Sequence, residues 1–144
     1  PLYSSAASDV YKRQALLALW HGENWTDTIG GSYFVSHQFE KDLHFSFTGY
    51  GEEEINSMSD SFMKKLASEI NELNQRAKHL IQAQCCGDDC QKLALTDVIF
   101  DKSGCYGAFA LGYHVGESPA GDLYVLVKFD DNFQGDGELI YEVY

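Results

Sequence analysis

From Ser59 to about Gln84 the apolar residues Phe62, Met63, Leu66, Ile70, Leu73, Ala77, Leu80 and Ile81 recur at spacings of three and four. That is one continuous stripe down an α-helix. Ser59 suits the N-cap, Asp60 the first turn, and Lys78 and His79 the later turns, where positive charge meets the helix dipole. A helix of about 25 residues runs on the order of 38 Å, long enough to cross a whole sheet. Its stripe has to be covered by an apolar surface of similar length, and the flanking sequence supplies strands.

Before the helix, "SYFVSHQF" (32–39) and "DLHFSFTG" (42–49) alternate about a turn at "EKD". Tyr33, Val35 and Phe39 share one parity, as do Leu43, Phe45 and Phe47. A loop of odd length keeps both sets on one face, and that register is expected. It places His37 on the apolar face and His44 on the other with Ser46 and Thr48, without an evident carboxylate partner for either. Paired His catalysis is therefore not expected there. "ALLALW" and "NWTDTIGG" are too brief to assign, the first reading as the end of a helix; "YGEEEINSMSD" reads as a polar connection.

After the helix come "LALTDVIF", a "DKSG" turn with Gly104 suited to a left-handed position, and "CYGAFALGYHV". Gly107 and Gly112 are expected to permit a bulge or close approach to the long helix. "DLYVLVKF", apolar on both faces, reads as a central or well-covered strand; the loop "DDNFQGDG" and the strand "ELIYEVY" close the chain. The fold class expected is α+β: an antiparallel sheet in the order β-β-α-β-β-β-β with one long helix packed across one face.

A length of 144 residues fits a single domain, taken as 15–144. Residues 1–14, "PLYSSAASDVYKRQ", resemble a translated sequencing-adapter artefact and are read as a non-native tail. Setting aside its Asp9, Lys12 and Arg13 takes the net charge from −12 to −13, so the acidity belongs to the domain. Such a surface repels nucleic acid and anionic lipid and favours a cationic partner. Basic residues cluster only at Lys64-Lys65, and no apolar run is long enough to span a membrane.

"QAQCCGDDCQKL" (82–93) is the most chemical-looking stretch. Cys86 and Cys90 are separated by three residues, but the second pair that structural zinc requires is missing. Asp88 and Asp89 are oxygen donors poorly matched to thiolates. Reduced thiols after a Gly87 helix stop are the expected state of Cys85, Cys86 and Cys90. No metal or cofactor is expected; a site, if present, would draw on Cys86, Cys90, Cys105 and His114, with His79 as a further imidazole. "DDNFQGDGELIYE" imitates a calcium loop through Asp130, Asn132, Gln134 and Gly135, but Tyr141 stands where the bidentate glutamate is needed. Nucleophile elbows, phosphate loops and zinc-protease motifs are missing, so an enzyme is not expected. Tyr106, Tyr113, Tyr124, Tyr141 and Tyr144, with Glu117, Asp122 and Glu142, are the candidate residues for a basic partner.

The hairpin ending "FSFTGYGEEEI", the long helix, "DVIFDKSGCYGAFALGYHV" and the closing "GDLYVLVKFDDNFQGDGELIYEVY" resemble small uncharacterised bacterial domains of the toxin–immunity protein type, over residues 25–144. The resemblance implies a cytoplasmic, non-catalytic protein that neutralises a basic protein partner such as a toxin, and carries over no site residues. Against it stand a structural or accessory domain whose acidity only confers solubility, and a metal-binding domain or enzyme built on Cys85, Cys86 and Cys90.

Overall fold

The computed structural model describes residues 12–84 and 93–144. The chain runs through helix α1 (12–20), strands β1 (Thr26–Thr28), β2 (Gly31–Ser36) and β3 (Leu43–Thr48), and helices α2 (Glu52–Asn56) and α3 (Asp60–Gln84). Strands β4 (Leu95–Asp101), β5 (Phe109–Ser118), β6 (Gly121–Phe129) and β7 (Gly135–Val143) follow. Cys85, Cys86 and Cys90, and residues 1–11 of the suspected tail, lie outside the described residues. Lys12 and Arg13 of that tail begin α1, where Lys12 pairs with Asp60 at 2.8 Å and Arg13 with Asp27 at 2.9 Å.

The fold is α+β, with one seven-stranded sheet in the order β1-β2-β3-β4-β5-β6-β7. Two features differ from expectation. Strand β1 extends the sheet beyond β2, and β3 pairs with β4 in parallel. The parallel pair follows from the helices: α2 and α3 carry the chain away from β3 and return it for β4 to run in the same sense, a crossover that a tight hairpin cannot provide. All other neighbouring strands are antiparallel.

Helix α3 is not the sole cover of the core. Met63, Leu66, Ile70, Leu73, Ala77 and Ile81 of α3 are buried in one cluster with Leu16 and Trp20 of α1 and Ile55 of α2. The α3 N-terminus is capped as expected: the Phe62 amide donates to Ser59 Oγ at 3.2 Å. The strands meet these helices with a row of rings. Phe34 stacks on Phe45 (4.8 Å), Phe47 on Phe100 (4.9 Å) and Phe109 on Phe129 (5.3 Å), a chain that reaches from β2 to β6.

This row decides the β2–β3 register. Ser36 faces Leu43 and Phe34 faces Phe45, so an even-numbered loop, 37–42, joins the strands, not an odd one. Phe34 goes inward with Ser32 and Ser36, while Tyr33 and Val35 turn outward beside Ser46 and His44. The odd-numbered set loses because Phe39 lies past the end of β2 and cannot contribute to a strand face. One buried phenylalanine between two serines supplies the ring that stacks on Phe45.

Gly104 takes the left-handed conformation (φ 80°) expected of it. Gly107 is also left-handed (φ 69°), and a Cβ there would come within 2.6 Å of the Phe129 carbonyl oxygen. Its close approach is to β6, not to the long helix as expected. Asp130 Oδ1 accepts from the Asn132 and Gln134 amides, both at 2.9 Å, so this carboxylate of the calcium-like loop serves a turn. No helix among the described residues is long and apolar enough to cross a membrane.

Candidate functional site

Strand alternation that sends the phenylalanines toward the helices turns another set of side chains to the opposite face of the sheet. His44, Asp97, Gly112 and Leu126 follow one another across β3 to β6, and Tyr124 sits between His114 and Glu142. A small buried cluster of Ile99, Ala110 and Leu126, flanked by Tyr106, Tyr124 and Ile140, forms the apolar floor of this face. No helix residue belongs to that cluster among the described residues. The face is open.

Two grooves lie on it. One, of about 860 Å³, is lined by His37, His44, Thr96, Asp97, His114 and Tyr124, with Phe39, Lys41 and Asp42 at its loop side. The other, of about 490 Å³, is lined by Asp97, Ile99, Asp101, Tyr106, Tyr124, Leu126 and Tyr144, with Ser46 and Thr48. Asp97 and Tyr124 belong to both.

Asp97 is half-buried in the middle of β4. A residue with a short charged side chain is poorly suited to a strand interior, and Gly112 makes room for it. A Cβ at 112 would come within 2.9 Å of the Asp97 Cβ and 3.0 Å of Leu126 Cδ2. The carboxylate accepts from Thr96 Oγ1 at 2.7 Å. Burial pushes its pKa up; the Thr96 hydroxyl and the nearby His44 and His114 oppose that shift.

Tyr106 is held as a neutral donor. It donates to Glu142 Oε1 at 3.0 Å, and burial and then this carboxylate push the phenol's pKa far up. Tyr124 meets Tyr144 at 5.5 Å and His114 at 5.2 Å, both edge-on. His114 Nε2 lies 3.4 Å from Asp122 Oδ1. Glu117 faces Asp122 across the β5–β6 pair.

Of the residues expected to meet a partner, Tyr106, Tyr124, Tyr144, Glu142 and Asp122 are thus brought together, with Glu117 at the hairpin end. Two are not. Tyr113 shares its parity with Phe109 and Leu111, is fully buried, and donates to Asn74 Oδ1 at 2.6 Å; it is core. Tyr141 faces Val125, whose side chain is in the helix-side core, and so points to the opposite side from Tyr124. Cys105 is an exposed free thiol that lines neither groove, so it does not meet His114. Among the described residues no group of His, Cys, Asp and Glu is arranged to hold a metal ion.

His37 and His44 do not separate as expected: the even-length loop places both on the larger groove. His37 also has the carboxylate partners that the sequence did not disclose. Its Nδ1 lies 2.6 Å from Asp42 Oδ1 and its Nε2 3.0 Å from Glu23 Oε1. The Asp42 hydrogen bond, more than the Glu23 charge, raises its pKa above 6.5. A raised folded pKa contributes stability that is complete below the unfolded value and lost as pH rises through the folded one. In an NMR titration, the His37 imidazole is expected to titrate above 6.5, and Asp42→Asn to bring it back toward that value.

Asp97 was missed by sequence reasoning. The available signal was an aspartate inside a strand pattern, "LALTDVIF", with a glycine inside another, "ALGYHV". A charged residue and a missing side chain at mid-strand both break local rules, as functional positions tend to. No protein-family model, curated protein or solved structure matches the chain.

Proposed function

We propose that the chain is a non-catalytic binding protein of the immunity type, which uses the open face of its sheet to hold a basic protein partner such as a toxin. One observation carries this reading. Four carboxylates of the open face are met by neutral or weakly basic groups: Asp97 by Thr96, Glu142 by Tyr106, Asp101 by Ser103 and Asp122 by His114. The lysine and arginine ion pairs engage other carboxylates, at Lys12–Asp60, Arg13–Asp27 and Lys102–Glu54, and at the far end of this face Lys128 pairs with Asp136 and Glu138. Four carboxylates without a lysine or arginine partner among the described residues, on a protein of net charge −12, are complementary to lysine or arginine side chains. Tyr106, Tyr124 and Tyr144 add rigid aromatic area on which such cations stack.

The test is affinity capture on the immobilised full chain from the native host, followed by a salt series. A basic protein should be retained at low ionic strength and released as salt rises. Tyr124→Ala is expected to reduce its retention at least about tenfold, the cost of losing a central aromatic anchor. In growth assays, co-expression of the chain should relieve the toxicity of that protein, and the variant should relieve it less. Retention indifferent to both salt and Tyr124→Ala, or recovery of no basic protein, refutes the proposal.

A further inference from the structure

Strand β7 is an edge of the sheet, nine residues long and free of proline, and no described strand pairs with its outer side. The other edge, β1, has three residues, and its Asp27 is held by Arg13. Short, occupied edges resist strand addition, whereas regular ones invite it. In β7 the first half is interrupted by a register shift against β6 and by left-handed Gly137, whose carbonyl accepts from Gln84 Nε2 at 2.8 Å, and Leu139–Val143 is the regular part.

The hydrogen bonding of β7 fixes which backbone groups are free. The Asp122 amide donates to Tyr144 O at 2.9 Å and the Tyr144 amide to Asp122 O at 3.0 Å, a closed pair. Closed and open pairs alternate along an antiparallel ladder. Glu142 and Ile140 therefore bond inward to Tyr124 and Leu126, and the amides and carbonyls of Leu139, Tyr141 and Val143 point away from the sheet. The side chains along this edge are also sorted. Glu138, Ile140 and Glu142 continue the open face, while Tyr141 (60% exposed) and Val143 (46% exposed) lie on the helix side.

We propose that β7 is a docking edge, at which an extended segment of a partner adds as an eighth strand with cationic residues alternating with apolar ones. Its cations would stand beside Glu142, and beside Glu138, which also lies 3.7 Å from Lys128 Nζ; its apolar side chains would cover Tyr141 and Val143. Glu142, next to the smaller groove through Tyr106, makes this edge continuous with the open face. A second copy of the chain is the poorer occupant. Pairing centred on Ile140 sets Glu138 of each copy against Glu142 of the other, like charges directly opposed. The identity of the occupant rests on the reading of a basic partner; the free edge does not.

The probe is a synthetic peptide alternating lysine with valine, matched to the regular stretch Leu139–Val143 of β7. A peptide of the same composition in two blocks is the control. Hydrogen exchange of the full chain is read residue by residue by NMR. The alternating peptide should slow exchange of the Leu139, Tyr141 and Val143 amides at least about tenfold, as new edge hydrogen bonds form. The block peptide should not. Tyr141→Pro removes an outward amide at a position where an edge strand tolerates proline, and should abolish protection at 139 and 143; Tyr141→Ala should retain it. Asp97→Asn, which alters the groove, should also retain it. Equal binding of both peptides without amide protection overturns the edge and leaves the basic-partner reading standing. The same amides becoming protected with rising protein concentration alone identifies a second copy as the occupant and overturns the proposal. Binding by neither peptide overturns the edge, and the capture experiment then judges the open face independently.

Discussion

Replacing Phe47 by alanine is expected to lower the unfolding free energy by about 3–5 kcal/mol, the usual cost of truncating a fully buried phenylalanine. Its ring has no exposure and lies at the crossing of the aromatic row. It stacks on Phe100 at 4.9 Å, tilts against Trp25 at 5.3 Å, meets Tyr50 edge-on at 6.3 Å and overlaps Phe34 at 6.2 Å. Its loss opens a cavity between the parallel strands β3 and β4 and the short helix that leaves β3. Against a total stability of about 5–15 kcal/mol for a domain of this size, that is a large fraction. Phe47→Leu, which keeps much of the volume, should cost less than about 2 kcal/mol. Tyr33→Ala, on the opposite face and partly exposed, should cost within about 1 kcal/mol. Urea unfolding with an unchanged slope is the measurement. A loss below about 1 kcal/mol for Phe47→Ala would mean that Phe47 is not in the core row. A loss of several kcal/mol for Tyr33→Ala would mean that the β2–β3 register is wrong, because the register decides which parity of β2 faces inward.

The parts of this fold that were legible in the sequence are those whose signal is local. The α3 stripe closes within each turn, and the Ser59 cap lies at its start, so the helix and its buried face could be read without knowing their neighbours. The burial of β6 was readable in the same way, because both of its faces are apolar, and Val125, Leu126, Val127 and Phe129 are buried. What was not legible depends on partners distant in the chain. Ser32 and Ser36 look like exposed positions, and they are buried because Phe34 between them must reach Phe45. The direction of β4 depends on where a crossover returns the chain, which no residue of β4 encodes. The site suffers the same limit: Asp97 gains meaning only beside Gly112 on β5, and His37 only when the loop length puts it near His44. Tyr113 and Tyr141 are a different kind of miss. Both share parity with apolar neighbours, Phe109 and Leu111 in one case and Leu139 and Val143 in the other, so their placement away from Tyr124 was available from alternation alone.

Asp97→Asn is expected to separate the stability of the protein from its affinity. Burial raises the Asp97 pKa above its unfolded value. The sign follows: stability linked to this group is present below the unfolded pKa and lost as pH rises through the folded one, because the folded state resists the charge. At neutral pH the wild type bears that loss, and asparagine, of nearly the same shape, does not. Asparagine also keeps an acceptor for Thr96 and fits the space left by Gly112. The variant should therefore unfold at higher urea than the wild type near pH 7, with the difference shrinking as pH falls into the carboxylate range. Binding should move the other way. A partner cation placed against this carboxylate loses its counter-charge, which for a buried hydrogen-bonded pair costs about 2 kcal/mol or more, roughly thirtyfold in Kd. Alanine cannot make this distinction, since it removes the Thr96 bond and leaves a gap over Leu126. A gain in stability with a loss in affinity is the mark of a charge retained for recognition. If Asp97→Asn instead destabilises the fold and leaves partner binding intact, Asp97 serves the β4–β5 pairing, and the cation must be sought at Glu142 and Asp122.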